Sequence, residues 1–253
     1  EIYVRSSFAV ERFDEVTNRL RQEFAEPNVP EWVRAIQSDA RKLSVLWQRE
    51  QGQRAKENAA GNLPLVRFTV EHRQFEGSNV KVTGTGQVDI ELFEDQAPAA
   101  VANFLSLAET GVYDGTLFYW AEAGHMVVGG DPNTKNADPN DDGLGGPGYS
   151  IPDEFGSPNA RAHFRGVLST AQNGPRTAGS QFFITLVPSP EFDGNSTAFG
   201  RVVKGQEVLD RVTQGRTNRN VGPFGRVIPG DRLVKVTVVR KRPHAYTVTK
   251  ASR

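Results

Sequence analysis

Residues 115–132, GTLFYWAEAGHMVVGGDP, set a Phe, a Tyr, a Trp, the chain's only Met and one of its four His between glycines. Such a run suits an active site, the remnant of one, or a well-packed strand pair, and the remaining reactive side chains narrow the chemistry. His72, His125, His163 and His244 show no metal-ligand spacing with one another or with carboxylates, and no G-x-S-x-G elbow accompanies them. Hydrolase and metalloenzyme readings therefore fall away. The chain has no cysteine, which excludes disulfide staples, thiol catalysis and cysteine zinc sites.

Two loops imitate ligand sites and fail on their own residues. GLGGPG at 143–148 matches G-x-G-x-x-G, yet Pro147 and Pro152 forbid the helix that a dinucleotide fingerprint needs after it. DPNDDG at 138–143 places Asp138, Asn140, Asp142 and Gly143 as in the first half of a calcium loop, but Tyr149 stands where a bidentate Glu would close the cage. It reads as an Asx-rich turn. Neither a metal nor a cofactor is implied, and what remains is a cluster of aromatic, amide and methionine side chains.

The elements that must position this cluster come in two textures. From 6 to 58, Phe8, Phe13, Val16 and Leu20 suggest one amphipathic helix and Trp32, Ile36, Ala40, Leu43 and Trp47 a second, with Pro27 and Pro30 between them. This helical hairpin is either a docking arm anchored by Trp32 and Trp47 or a cover whose apolar stripe packs on the following domain. RAKENAAGN at 54–62 is polar and unpatterned and reads as a linker. Beyond it come eight β-like runs, LPLVRFTVEH, GQVDIELFE, TLFYW, HMVVGG, GVLSTA, QFFITL, TAFGRVV and RLVKVTVVRK, as in a barrel or sandwich. Two helical stretches interrupt them. In APAAVANFLSLAETG, Pro98 suits the first turn, Val101, Phe104, Leu105 and Ala108 form an apolar face, and Gly111 caps the end; GQEVLDRVTQG is shorter. The resulting division is a helical extension and linker at 1–62, a β-rich domain at 63–242 and a tail without core pattern at 243–253.

A chain of 253 residues with 37% hydrophobic residues can bury a full core. Its 30 Lys and Arg balance 30 Asp and Glu, so no field points toward nucleic acid, and no apolar stretch approaches the roughly 20 residues of a membrane span. The first residue is Glu1 rather than Met, which reads as a trimmed chain and leans toward an exported or periplasmic location.

FEDQAPAAVANFLSLAETGVYDGTLF, MVVGGDP, GGPGYSIPDEF, RGVLSTAQNGPRTAGSQFFITL and DGNSTAFGRVVKGQEVLDRV together resemble a cyclophilin, the cyclophilin-type peptidyl-prolyl cis-trans isomerase family. The resemblance runs over residues 65–241. It implies a mainly β fold, a closed eight-stranded antiparallel cyclophilin-like barrel capped by two helices, here preceded by an N-terminal α-helical hairpin that the family's domain lacks. It also implies proline-containing peptides or proteins as partners and a groove that works without cofactor or covalent step. The X-Pro bond turns over a barrier of about 18–20 kcal/mol maintained by amide resonance. A catalyst must hold the proline ring in an apolar pocket, grip the flanking backbone with amides, and offer a hydrogen bond to the prolyl nitrogen as its lone pair is released.

Carried over position by position, the resemblance keeps the proline pocket's methionine and phenylalanine at Met126 and Phe183, the backbone-holding glutamine at Gln181, and Ala171. The neighbouring asparagine becomes Gln172 and the pocket leucine Phe192. Other positions depart further. The catalytic arginine of the family's FHR motif is replaced in Phe118-Tyr119-Trp120 by Trp120, and the glutamine that orients it by Val128. The second pocket phenylalanine becomes His125, the pocket tryptophan Glu191 and the groove-edge histidine Ser196. Trp120 either fills the groove or lines an open one, and His125 and Glu191 either pair or face solvent. The implied function is a peptidyl-prolyl isomerase with weak or no activity; the alternative is a non-catalytic proline-peptide-binding or protein-interaction module.

Overall fold

A computed structural model of the chain describes residues 12–24, 29–76, 79–122, 124–136, 138, 140–212 and 230–251. Phe8, Pro27, the Trp32 side chain and the end of GQEVLDRVTQG lie outside the described residues. Among the described residues two helices come first, α1 (Phe13–Glu23) and α2 (Glu31–Ala60). Val16 and Leu20 of α1 meet Val33 and Ala40 of α2 in a small apolar cluster, with Val29 between the helices. A second cluster joins the pair to the β-rich part, where Phe13, Leu43 and Trp47 pack against Phe164, Val167 and Ala198. The ring of Trp47 lies 4.8 Å from that of Phe164. Trp47 is therefore a packing residue rather than a free anchor.

The expected linker at 54–62 is helix as far as Ala60, ended by Gly61 in the left-handed region at φ 60°. Its polar residues mislead because they are paired inward. The Arg161 guanidinium grips Glu50 through two bonds of 2.8 and 2.6 Å and donates to Glu57 at 2.6 Å. Arg201 donates to the other oxygen of Glu57 at 2.7 Å and to Glu91 at 2.8 Å. Arg161 also lies 3.9 Å above the Phe93 ring. Burial alone would raise the Glu50 carboxyl, but Arg161 and Arg54 outweigh it and hold it below its ordinary value.

Among the described residues nine strand segments form one sheet: β1 (Leu65–Glu76), β2 (Asn79–Leu92), β3 (Thr116–Leu117), β4 (Trp120–Glu122), β5 (Met126–Gly129), β6 (Val167–Thr170), β7 (Phe182–Thr185), β8 (Ala198–Lys204) and β9 (Arg232–Arg240). Their order is β3-β9-β1-β2-β8-β6-β7-β5-β4, with each pair of neighbours antiparallel. All eight β-like runs become strands, and the count rises because TLFYW divides. Its first part pairs with β9 and its last with β5, so the two ends of the sheet order are separated in the chain only by Phe118 and Tyr119.

One face of the sheet closes over the main core, in which Phe68, Phe104, Phe182 and Phe199 meet under α3 (Pro98–Glu109). Pro98 occupies the first turn of α3, and Val101, Phe104, Leu105 and Ala108 are buried as the spacing predicts. The second expected helix is a single turn, α4 (Gln206–Leu209), in which Val208 and Leu209 are buried. The tail packs although it carries no core pattern: Tyr246 contacts the core and donates its hydroxyl to Glu94 at 2.8 Å. Among the described residues no helix is long and apolar enough to cross a membrane.

Arg161→Ala leaves buried Glu50 with Arg54 and buried Glu57 with Arg201 as their remaining ion-pair partners among the described residues, and is expected to cost about 3–5 kcal/mol. Arg19→Ala, which breaks an exposed pair with Glu23 on α1, is expected to cost less than about 1 kcal/mol. Urea unfolding midpoints of the two variants measure the contrast, and equal midpoints would contradict the buried network.

Candidate groove

Cross-strand register brings the candidate residues together. Trp120 on β4 stands opposite Val128 on β5, Val128 opposite Phe183 on β7, and Phe183 opposite Ser169 on β6. Their chain neighbours Ala121, Val127, Ile184 and Leu168 belong to the core, so the period-two alternation of strands turns this row to the outside of the sheet. Met126, half-buried, stands opposite Glu122 and Thr185 in the adjacent row. Trp120 and Val128, which the resemblance sets at the catalytic arginine and at the glutamine that orients it, thus lie side by side, and neither is charged.

Trp120, 37% exposed, borders a cavity of 530 Å³ that it shares with Tyr119, Tyr149, Gln172 and Gln181 and that Met126, Val128 and Phe183 do not line. Gln181, just before β7, spends both amide hydrogens on the carbonyls of Gly143 and Gly145, at 3.0 and 2.7 Å, while its oxygen accepts the Tyr119 hydroxyl. Burial, with Asp131 and Asp142, raises the Tyr119 phenol and keeps it a donor. The loop that captures Gln181 is folded over buried Asp131, whose carboxylate accepts the N–H groups of Gly143 and Gly145. A Cβ on Gly145 would lie 2.0 Å from that carboxylate, so only glycine allows the approach. In the calcium-like run, Asp138 accepts the Asn140 N–H at 2.9 Å, the bond of an Asx turn.

At the other end of the row the pocket is both apolar and charged. Phe183, 4% exposed, packs 4.6 Å from Phe192. His125 stacks on Phe192 at 5.9 Å and bridges two carboxylates, Nδ1 to Glu122 at 3.1 Å and Nε2 to Glu191 at 2.8 Å. The sequence left His125 and Glu191 open between pairing and solvent, and in the fold they pair. Ala171 donates its N–H to the Gln181 carbonyl at 3.0 Å. Gln172 turns away from the row toward Asp153 and the Gly174 carbonyl, each at 3.3 Å. Ser196 closes the turn after Phe192 through its backbone N–H at 3.0 Å.

Sequence reasoning missed Tyr119, which meets Gln181 across 62 positions, and His163, which meets Asp193 across 30. Tyr119 carried a usable signal, since it stands beside Trp120 in the divergent tripeptide. No local spacing signals His163.

An antiparallel β protein with an apolar, amide-bearing groove on the outer face of its sheet is the class that fold and site define. The family model for cyclophilin type peptidyl-prolyl cis-trans isomerase/CLD matches residues 79–238, and the chain belongs to that family. Over 162 residues it is 42% identical to peptidyl-prolyl cis-trans isomerase-like 2 of Cryptococcus neoformans, covering 62% of this chain and 26% of that protein. The match therefore spans about a quarter of that relative's length. Over 159 residues it is 39% identical to peptidyl-prolyl cis-trans isomerase CYP18-1 of Arabidopsis thaliana, covering 62% of this chain and 92% of the relative. A cyclophilin type isomerase of Cryptosporidium parvum, solved in the presence of the dipeptide Ala-Pro, matches with TM-score 0.50 and 27% identity over 68% of this chain and 98% of its own.

Burial disfavours a charged His125, but the hydrogen bonds and charges of Glu122 and Glu191 outweigh it and raise the imidazole above its ordinary 6.5. A folded value above the unfolded one means that the pair's stabilisation is fully present below about pH 6.5 and is lost as pH rises through the raised value. A ring-proton NMR titration is expected to place the His125 midpoint above 6.5 and to see it fall in Glu191→Gln. An unchanged midpoint in that variant would contradict the bridge.

Proposed function

We propose that the groove receives proline-containing segments and isomerises their X-Pro bonds weakly, with Trp120, His125, Met126, Val128, Ala171, Gln172, Gln181, Phe183, Glu191, Phe192 and Ser196 as its lining. Membership of the isomerase family supports the substrate class. The observation that carries the weakness is the facing pair Trp120 and Val128, where neither side chain brings a positive charge. Trp120 has one indole N–H to offer. That donor is neutral, and charge assistance roughly doubles a hydrogen bond's strength.

If the missing cation costs what a preorganised oxyanion-hole donor costs, about 2.7–4 kcal/mol, turnover falls on the order of 10²–10³-fold. Apolar contact at Met126 and Phe183 survives, so binding outlasts turnover. The committed amide of Gln181 favours a second reading, a module that binds proline segments without turning them, because both hydrogens that would grip a peptide backbone are already used.

We also read the sheet as a closed eight-stranded barrel. The support is that β3 and β4 terminate the sheet order yet continue one another through Phe118 and Tyr119, so one strand pairs on both sides. The domain limits at 63–242 enclose the matched region, with 1–62 as the helical extension and 243–253 as the tail.

Two-dimensional exchange spectroscopy on a short X-Pro peptide tests the reading. Cis–trans exchange slower than that of an arginine-bearing family member by about 10²–10³-fold, with peptide-induced shifts at the Met126 methyl, is the expected result. Exchange within about tenfold of that member would overturn the impairment. Peptide-induced shifts with no exchange at all would select the binding module.

A further inference from the structure

The proline pocket is backed by a histidine to which the groove reading gives no role. The His163 side chain has no solvent exposure. Its Nδ1 lies 2.7 Å from Asp193 Oδ1, which also accepts the His163 backbone N–H at 2.9 Å, and its Nε2 lies 2.9 Å from Ser169 Oγ. Both ring nitrogens are thereby hydrogen-bonded, Nδ1 to the carboxylate and Nε2 to the serine hydroxyl, so the His163 side chain is held at both ends. Its ring stacks on Phe183 at 5.8 Å and 15°, and meets Phe192 edge-on at 5.8 Å. The Ser189 N–H donates to the His163 carbonyl at 2.7 Å, so the residue ties the turn carrying Glu191 and Phe192 to the sheet carrying Ser169 and Phe183.

The residues flanking His163 belong to the helical pair. Arg161 is held by Glu50 and Glu57 of α2, and Phe164 lies between Phe13 and Trp47. One short stretch therefore faces the helices at Arg161 and Phe164 and the pocket at His163.

We propose that His163 is the positioning residue of the proline pocket, fixing the rings of Phe183 and Phe192, and that the N-terminal helices set its place through Arg161 and Phe164. The proposal rests on the groove being a proline-peptide site, but its geometry can be read without peptide. A serine buried this fully cannot meet a substrate, so the Asp193–His163–Ser169 chain is a brace rather than a hydrolytic relay.

The single Met126 beside the pocket gives one methyl resonance in protein labelled at the methionine methyl, so the full chain reports on itself. Asp193→Ala removes the anchor of the ring, while Asp193→Asn keeps an acceptor oxygen at the same place. A freed ring shifted off its rotamer is expected to weaken peptide binding about five- to tenfold in Asp193→Ala. The Met126 methyl should shift in the same variant, KM should rise with kcat held, and Asp193→Asn should restore all three. Trp47→Ala should move the methyl in the same direction by less.

A role in stability alone would lower the unfolding midpoint of Asp193→Ala and leave the folded protein's methyl shift and peptide affinity as in the parent; that result overturns the proposal. An unmoved methyl in folded Trp47→Ala overturns the part given to the helices. Should the parent chain bind no proline peptide, the groove reading fails, and the methyl shift of the free Asp193→Ala protein still decides whether His163 braces the pocket.

Discussion

Strand register is the constraint on which the rest of this molecule depends. Because side chains alternate across a strand, the pairing of Trp120 with Val128 and of Val128 with Phe183 fixes which residues build the groove and which fill the core. A slip of one residue along β5 would send Val127 to the groove face and turn Val128 toward the core, exchanging the two faces. The burial of Val127 and Ile184 under the aromatic core resists that slip, so the energy that orders the groove is the hydrophobic energy of the opposite face.

In the proposed reading, recognition and turnover come apart on that wall. The apolar parts of the groove, Met126 and Phe183, are preserved, and Phe192 deepens the aromatic contact. The polar parts are rebuilt: the cation is absent from the Trp120 position, Gln181 is engaged by Tyr119 and the glycine loop, and a carboxylate–imidazole–carboxylate bridge of Glu122, His125 and Glu191 occupies the pocket rim. Rotation about an X-Pro bond is limited by amide resonance worth far more than any one hydrogen bond. On the proposed reading, a groove that holds proline without a charged donor lowers the barrier only in part.

The order of strands and helices was legible because each run carries its own period and its own breaker, as in α3 with Pro98 ahead of its apolar face. Trp120, Met126, Val128 and Phe183 lie near one another for the same reason, being tied to strands whose pairing sets their register. Long-range polar pairing was not legible. RAKENAAGN reads as a linker until Arg161 and Arg201 arrive from more than a hundred positions away to bury Glu57. Gln181 reads as a free amide until Tyr119 and the 143–145 loop fold onto it, and His163 reads as a lone histidine until Asp193 does. Periodicity records which face is apolar, and it holds no record of which distant charge will meet a polar residue.

The central proposal is that the missing charged donor and its support, rather than a lost hold on proline, limit turnover in the groove. Trp120→Arg combined with Val128→Gln, assayed by exchange spectroscopy on the same X-Pro peptide as the parent, tests it most directly. The account expects isomerisation to rise by about tenfold or more with peptide affinity little changed; a double variant that folds, binds the peptide as the parent does and turns it no faster would contradict it.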